Sequence, residues 1–210
     1  MNKKNIKYGA ILEARMGSSR LPGKTLMDLC GEPLIKRVID RIKCSTKIDK
    51  IILATTINES DDQLAHYVKQ QKIKVYRGSE QNVLERVVLA AEKYNVENIV
   101  ELHGDNPFLD SEIIDLIINK YEITKCDYIS NTIEKTFPMG LRVQVFPTTL
   151  LKDIYNTIDD PAVIEHVSLY FYENPNLYNI QNFSAPKKIN RPDIRLTVDT
   201  KEDFEFVSKI

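Results

Sequence analysis

Residues 8–25 read YGAILEARMGSSRLPGKT, and the parsing of this stretch decides the fold. Tyr8–Arg15 is mostly apolar and stops at a basic, glycine-containing loop, which predicts a buried strand feeding that loop. The loop itself, Gly17–Thr25, misses a phosphate-binding P-loop by one residue. That motif places four residues between its first glycine and Gly-Lys-Ser/Thr, and this chain has five. A P-loop lysine also leads directly into a helix. Here Lys24-Thr25 runs into LMDLCGEP, and helical spacing begins only near Glu32-Pro33. Both tests fail, yet the chemistry remains that of an anion site. Arg15, Arg20 and Lys24 alternate with Gly17, Ser18, Ser19 and Gly23. Glycines let backbone N–H groups approach a ligand, hydroxyls add donors, and the cations neutralise phosphate. The competing reading, a solvated basic turn, sits poorly with a loop placed directly after a first strand.

Outward from that stretch, strands and helices alternate. Asp49–Thr56, residues 73–79 and residues 98–105 read as further strands. Residues 31–45, 60–71, 82–95 and 111–123 carry helical spacing, with Pro33 in a first turn and Ser60 as an N-cap. This order predicts an α/β fold, a doubly wound and mostly parallel sheet. Ligands bind such sheets at the carboxyl ends of the strands. Arg15 with its loop, Thr55-Thr56, Arg77-Gly78-Ser79 and Gly104-Asp105 gather at those ends. The second half is less regular. CDYISNT (126–132), LYNIQNFSAP (177–186) and IRLTVDT (194–200) read as strands, and GLRVQVFP (140–147) as a half-buried one. PAVIEHVSLYFYEN (161–174) reads as a single helix, and KEDFEFVSKI as a helix running to the chain end, as in a shortened chain.

With 210 residues, the chain suits a single domain, 1–210. A net charge of −1 excludes a surface built to coat nucleic acid, so any anion site is a local cluster. Cys30, Cys44 and Cys126 form no CxxC pair, which fits a reducing cytoplasm. The start, MNKKNI, is too short and polar for a signal peptide, and no apolar run reaches bilayer-spanning length.

Two aspartates close predicted strands: Asp105 in HGDNP and Asp199 in TVDT. Converging carboxylates could share one Mg²⁺ and leave positions for phosphate oxygens and water. Alternatively, Asp105 is a turn residue before Pro107 and Asp199 is the N-cap of the last helix. Arg77 reaches a nucleotide or pairs with Glu80. Arg86 reads as part of a solvated helix face, and His103 as a strand-end residue with ligand contact or a structural role. Glu165-His166 reads as packing or interface. No Ser/His/Asp arrangement or metal-binding histidine pair stands out.

ARMGSSRLPGKTL resembles the first motif of the cytidylyltransferases that make CMP-activated sugar acids. The nearest branch is the one named after spore coat polysaccharide biosynthesis protein F. Its relatives are the CMP-3-deoxy-manno-octulosonate and CMP-acylneuraminate synthetases. YRGSEQNVLER, HGDNPFLD, EHVSLYFYENP and IRLTVDTKEDFEFV follow in the family's order, so the resemblance spans nearly the whole chain. It implies a fold like that of nucleotide-diphospho-sugar transferases, with a small antiparallel extension. It implies CTP on the loop residues Ala14, Arg15, Gly17, Ser18, Ser19, Arg20 and Lys24, with Arg77 and His103 nearby. It implies Mg²⁺ on Asp105 and Asp199, and sugar-side and dimerisation elements within about 127–185. Lys24, Arg15, Asp105 and Asp199 are then the catalytic set of a cytoplasmic homodimer that acts in surface-glycan synthesis. One departure is visible. Where that branch is expected to read like GLDVEVF, this chain has GLRVQVF, so Arg142 and Gln144 replace two carboxylates. An arginine there suits an acidic acceptor.

Two other classes fit parts of the pattern. A glycosyltransferase consuming a nucleotide sugar would need an Asp-x-Asp-like motif, and HGDNP supplies one aspartate. A non-catalytic nucleotide-binding module would bind CTP and turn nothing over.

Overall fold

The computed structural model describes residues 5–210, so the first four residues of the polar start lie outside it. The chain runs through strand β1 (Ile6–Glu13), hairpin strands β2 (Asp28–Leu29) and β3 (Glu32–Pro33), helix α1 (Leu34–Lys43), β4 (Lys50–Thr56), α2 (Asp62–Gln70), β5 (Lys74–Gly78), α3 (Val83–Lys93), β6 (Val96–His103) and α4 (Ser111–Thr124). There follow β7 (Tyr128–Ser130), β8 (Gln144–Pro147), α5 (Thr148–Thr157), α6 (Pro161–Glu165), α7 (Leu169–Glu173), β9 (Ile180–Asn182) and α8 (Lys201–Val207).

Seven strands form one sheet in the order β5-β4-β1-β6-β8-β7-β9. β5, β4, β1 and β6 pair in parallel, β8 runs antiparallel to β6 and β7, and β9 is parallel to β7. This is the α/β architecture read from the sequence. The apolar run in β1 has a direct cause, because both of its faces are covered. Ala10 and Leu12 pack into the core beneath α1 and α4, while Ile11 packs into the core beneath α3. Each fully buried leucine or isoleucine contributes about 2 kcal/mol. From β1 the chain moves outward to β4 and β5, then returns through α3 to β6 on the other side of β1. That reversal creates a crevice at the carboxyl ends of β1 and β6.

Four local expectations change. Ser60 caps nothing: a 3₁₀ turn over Glu59–Asp61 precedes α2, because the Asp61 carboxylate turns inward to Thr55 and Thr56. Residues 161–174 form two short helices, broken at His166–Ser168, where Ser168 Oγ turns inward and donates to Gln144 Oε1 at 2.7 Å. Residues 194–200 are not a strand of the sheet. They lie across its strand ends, held by Leu196 N–H on the Met139 carbonyl and Val198 N–H on the Asp105 carbonyl. Finally, β8 is an interior strand, so Gln144 and Phe146 are both buried and the half-buried alternation fails. The last helix closes at Val207. Among the described residues, no helix is long and apolar enough to cross a membrane.

Candidate active site

The loop after β1 is held from below. Asp61, 1% exposed, accepts from the Met16 N–H at 2.7 Å, from the Thr56 N–H at 3.0 Å and from the hydroxyls of Thr55 and Thr56. Burial alone would raise its carboxyl, but the Thr56, Met16 and Thr55 hydrogen bonds outweigh it and hold the group below the ordinary range. The loop then closes on itself. Gly23 N–H reaches the Met16 carbonyl at 3.0 Å, Thr25 Oγ1 donates to the Arg15 carbonyl at 2.9 Å, and Ser18 Oγ accepts from Leu21 N–H. Gly23 sits at φ +75°, a left-handed conformation that a side chain would strain. It launches the 3₁₀ turn Lys24–Leu26, which aims Lys24 inward.

Lys24 Nζ donates to Asp105 Oδ2 at 3.0 Å, Asp199 Oδ1 at 3.1 Å and the Val198 carbonyl at 2.6 Å. Arg20 and Arg195 also reach Asp199, at 2.9 and 2.6 Å. Burial works to raise the Asp199 carboxyl, but the Lys24 and Arg195 hydrogen bonds prevail and lower it. The N-cap reading of Asp199 is corrected. Thr200 caps α8 in a capping box with Asp203, which frees the Asp199 carboxylate for the crevice. Arg195 is itself clamped, with Nε on Asp203 Oδ1 at 2.9 Å. Gly104 lets the strand ends meet, since a Cβ there would fall 2.7 Å from Ala14 Cβ and 2.9 Å from Ile35 Cδ1.

Two cavities share this centre. A polar one of about 460 Å³ is lined by the loop after β1 together with Val83 and Arg86. A more apolar one of about 350 Å³ is lined by Asn131, Phe137, Met139 and Leu141. His103, Asp105, Arg142 and Asp199 line both. Every predicted site residue therefore faces the polar cavity except Arg77. Its guanidinium is taken up by the carbonyls of Thr56 and Asn58 and by Asp62, and Glu80 pairs instead with Arg15. Arg86, read as solvated, is 4% exposed and donates to the Ser79 carbonyl. Gln144 faces neither cavity and accepts from Tyr128 and Ser168, whereas Arg142 does reach the site. Glu165 and His166 line the polar cavity. Sequence reading missed the Asp61 anchor, whose one signal is a pair of threonines at a strand end followed by an acidic turn.

A family model described as cytidylyltransferase matches residues 9–210. The spore coat polysaccharide biosynthesis protein SpsF of Bacillus subtilis is 37% identical over 206 residues, covering 95% of this chain and 84% of that protein. The 3-deoxy-manno-octulosonate cytidylyltransferase of Idiomarina loihiensis is 30% identical over 192 residues, covering 88% of this chain and 69% of the relative. The solved structure of a cytidylyltransferase from Leptospira borgpetersenii superposes with a TM-score of 0.90 at 31% identity, covering 97% of this chain and 86% of that one.

Proposed function

The chain belongs to the cytidylyltransferase family, and on that premise we propose that it transfers CMP from CTP to a sugar hydroxyl and releases pyrophosphate. The observation that carries the proposal is the meeting of Lys24, Asp105 and Asp199 where the two cavities join. CTP lies along the polar cavity, its triphosphate over Ser18, Ser19 and the cations Arg15, Arg20 and Lys24. The acceptor enters from the other side of the aspartates. Its hydroxyl attacks the α-phosphorus, a new P–O bond forms, and the bond to pyrophosphate breaks. The protein orients both partners and stabilises the charge that grows on the leaving group.

The two carboxylates fit a divalent ion. They already converge on one cation, the Lys24 ammonium, and they offer only hard oxygen donors. Asp105 and Asp199 would hold Mg²⁺, which would supply charge neutralisation at the α-phosphate. Arg142, at the junction of the cavities, suits an acidic acceptor such as a 2-keto sugar acid. The name of the Idiomarina relative supports that class. We place the enzyme in surface-glycan synthesis in the cytoplasm. A homodimer through the segment 127–185 rests on the family likeness.

The test is pyrophosphate release with CTP, Mg²⁺ and a panel of 2-keto sugar acids and neutral sugars, beside thermal shifts with CTP, UTP, ATP and GTP. A CTP-selective shift with release on an acidic sugar is expected. A purine preference overturns the nucleotide assignment. An unchanged acceptor panel for Arg142→Asp overturns the role of Arg142.

A further inference from the structure

Behind the aspartates, the ends of β1 and β6 bring a second group together. Glu13 and His103 are register partners, and Glu101 lies two residues before His103 on the same face of β6. One ligand atom from each of the three lies within 4.8 Å of the other two. Glu13 Oε1, Glu101 Oε2 and His103 Nε2 are all buried without a hydrogen-bond partner. Glu101 is 2% exposed, and its Oε1 stands 3.5 Å from His103 Nε2. Among the described residues, His103 is the one basic side chain within 4.0 Å of either carboxylate. Arg142 borders the same space and Arg86 the neighbouring polar cavity. They donate to the Ser168 hydroxyl and the Ser79 carbonyl, and the Nε of each is buried without a partner and beyond 4.0 Å from both carboxylates. Glu165 and His166 complete the wall of a cavity of about 250 Å³.

Two facing carboxylates with no ion-pair partner beyond a histidine are costly in a buried setting. Burial, and then the charge of Glu101, push the Glu13 carboxyl up to about 7. A cation bound among the three unpartnered atoms removes that cost. Two carboxylates and an imidazole are the donor set of Mn²⁺, Co²⁺ or Zn²⁺, whereas Mg²⁺ prefers oxygen alone. We propose that Glu13, Glu101 and His103 form a transition-metal site separate from the Asp105–Asp199 pair. The cavity beside it leaves room for water or a substrate hydroxyl as a further ligand. This inference does not rest on the proposed reaction.

The test is Co²⁺ titration of the full chain, stripped first with a chelator and followed by visible absorption. Wild type should bind about one equivalent with a ligand-field spectrum. The Asp105→Asn/Asp199→Asn double variant should keep that spectrum. Glu101→Gln and Glu13→Gln should each bind at least about tenfold more weakly or lose the spectrum. Melting temperatures of the metal-free variants report whether each folds. If one glutamine variant does not, the other and His103→Gln carry the test. The proposal fails if wild type shows no spectrum. It also fails if the spectrum disappears with the aspartate double variant and survives in Glu101→Gln.

Discussion

Lys24 Nζ lies 3.1 Å from Asp199 Oδ1, joining residues 175 positions apart, and the same ammonium holds Asp105 at 3.0 Å. A phosphate-directed lysine is thus parked between the carboxylates proposed to take Mg²⁺. Lys24→Ala should lower the rate of pyrophosphate release about a hundredfold, ~3 kcal/mol of transition-state stabilisation. It should also leave Asp105 without its ammonium partner and Asp199 with Arg20 and Arg195 alone. Without CTP, Mg²⁺ should therefore raise the melting temperature of Lys24→Ala more than that of wild type. Equal shifts would mean that the ion and the ammonium do not compete.

Asp199→Asn should abolish most pyrophosphate release and the response to Mg²⁺ while keeping the fold. Asp203 acts one step further back, holding Arg195 and capping α8. Its carboxyl is held well below the ordinary range, chiefly by the Arg195 hydrogen bond. A depressed carboxyl stabilises the fold above its unfolded-state pKa, and that contribution disappears as pH falls through the folded value. Asp203→Asn should cost about 1 kcal/mol at neutral pH and flatten the acid limb of stability. Urea denaturation at pH 7 and pH 3 measures both effects.

Asp61, in the 3₁₀ turn that follows β4, anchors the loop after β1. Asp61→Ala leaves the donors from Met16, Thr55 and Thr56 without their acceptor and should cost about 3 kcal/mol of stability. Asp61→Asn should cost less. In both variants CTP should give a smaller thermal shift than in wild type, because the loop must now be ordered on binding.

Glu13 gives the opposite pH behaviour. Its folded pKa, about 7, lies above the ordinary 4.5. The favourable contribution is therefore complete below the ordinary value and is lost as pH rises through about 7. In chelator, wild type should lose stability between pH 5 and pH 8, and Glu13→Gln should lose less. Parallel melting curves for the two proteins across that range would contradict the assignment.

The parallel half was legible because β1, β4 and β6 are buried on both faces and read as apolar runs ending in polar residues. The loop was legible from its spacing of glycines and cations, and Asp105 and Asp199 from their places at predicted strand ends. The base and the acceptor class came from resemblance alone. What escaped reading was non-local. No pattern within α3 says that Arg86 is buried, and no periodicity marks an inward serine that breaks a helix at residue 168. Glu13 and Glu101 each look like isolated acids in apolar runs until β1 and β6 pair.

The register of β1 on β6 matters beyond folding. Glu13 is set opposite His103, and the Gly104 N–H reaches the Glu13 carbonyl at 2.9 Å. The loop after β1 leaves from one of these strands and Asp105 from the other, so their spacing is gauged by main-chain hydrogen bonds rather than by side chains. A slip of one residue would turn every side chain on the strand to the opposite face. The surrounding wall residues do not set that gauge. A substitution in the cavity wall, at Arg142 for example, can therefore alter what the site accepts without moving the loop after β1 relative to Asp105.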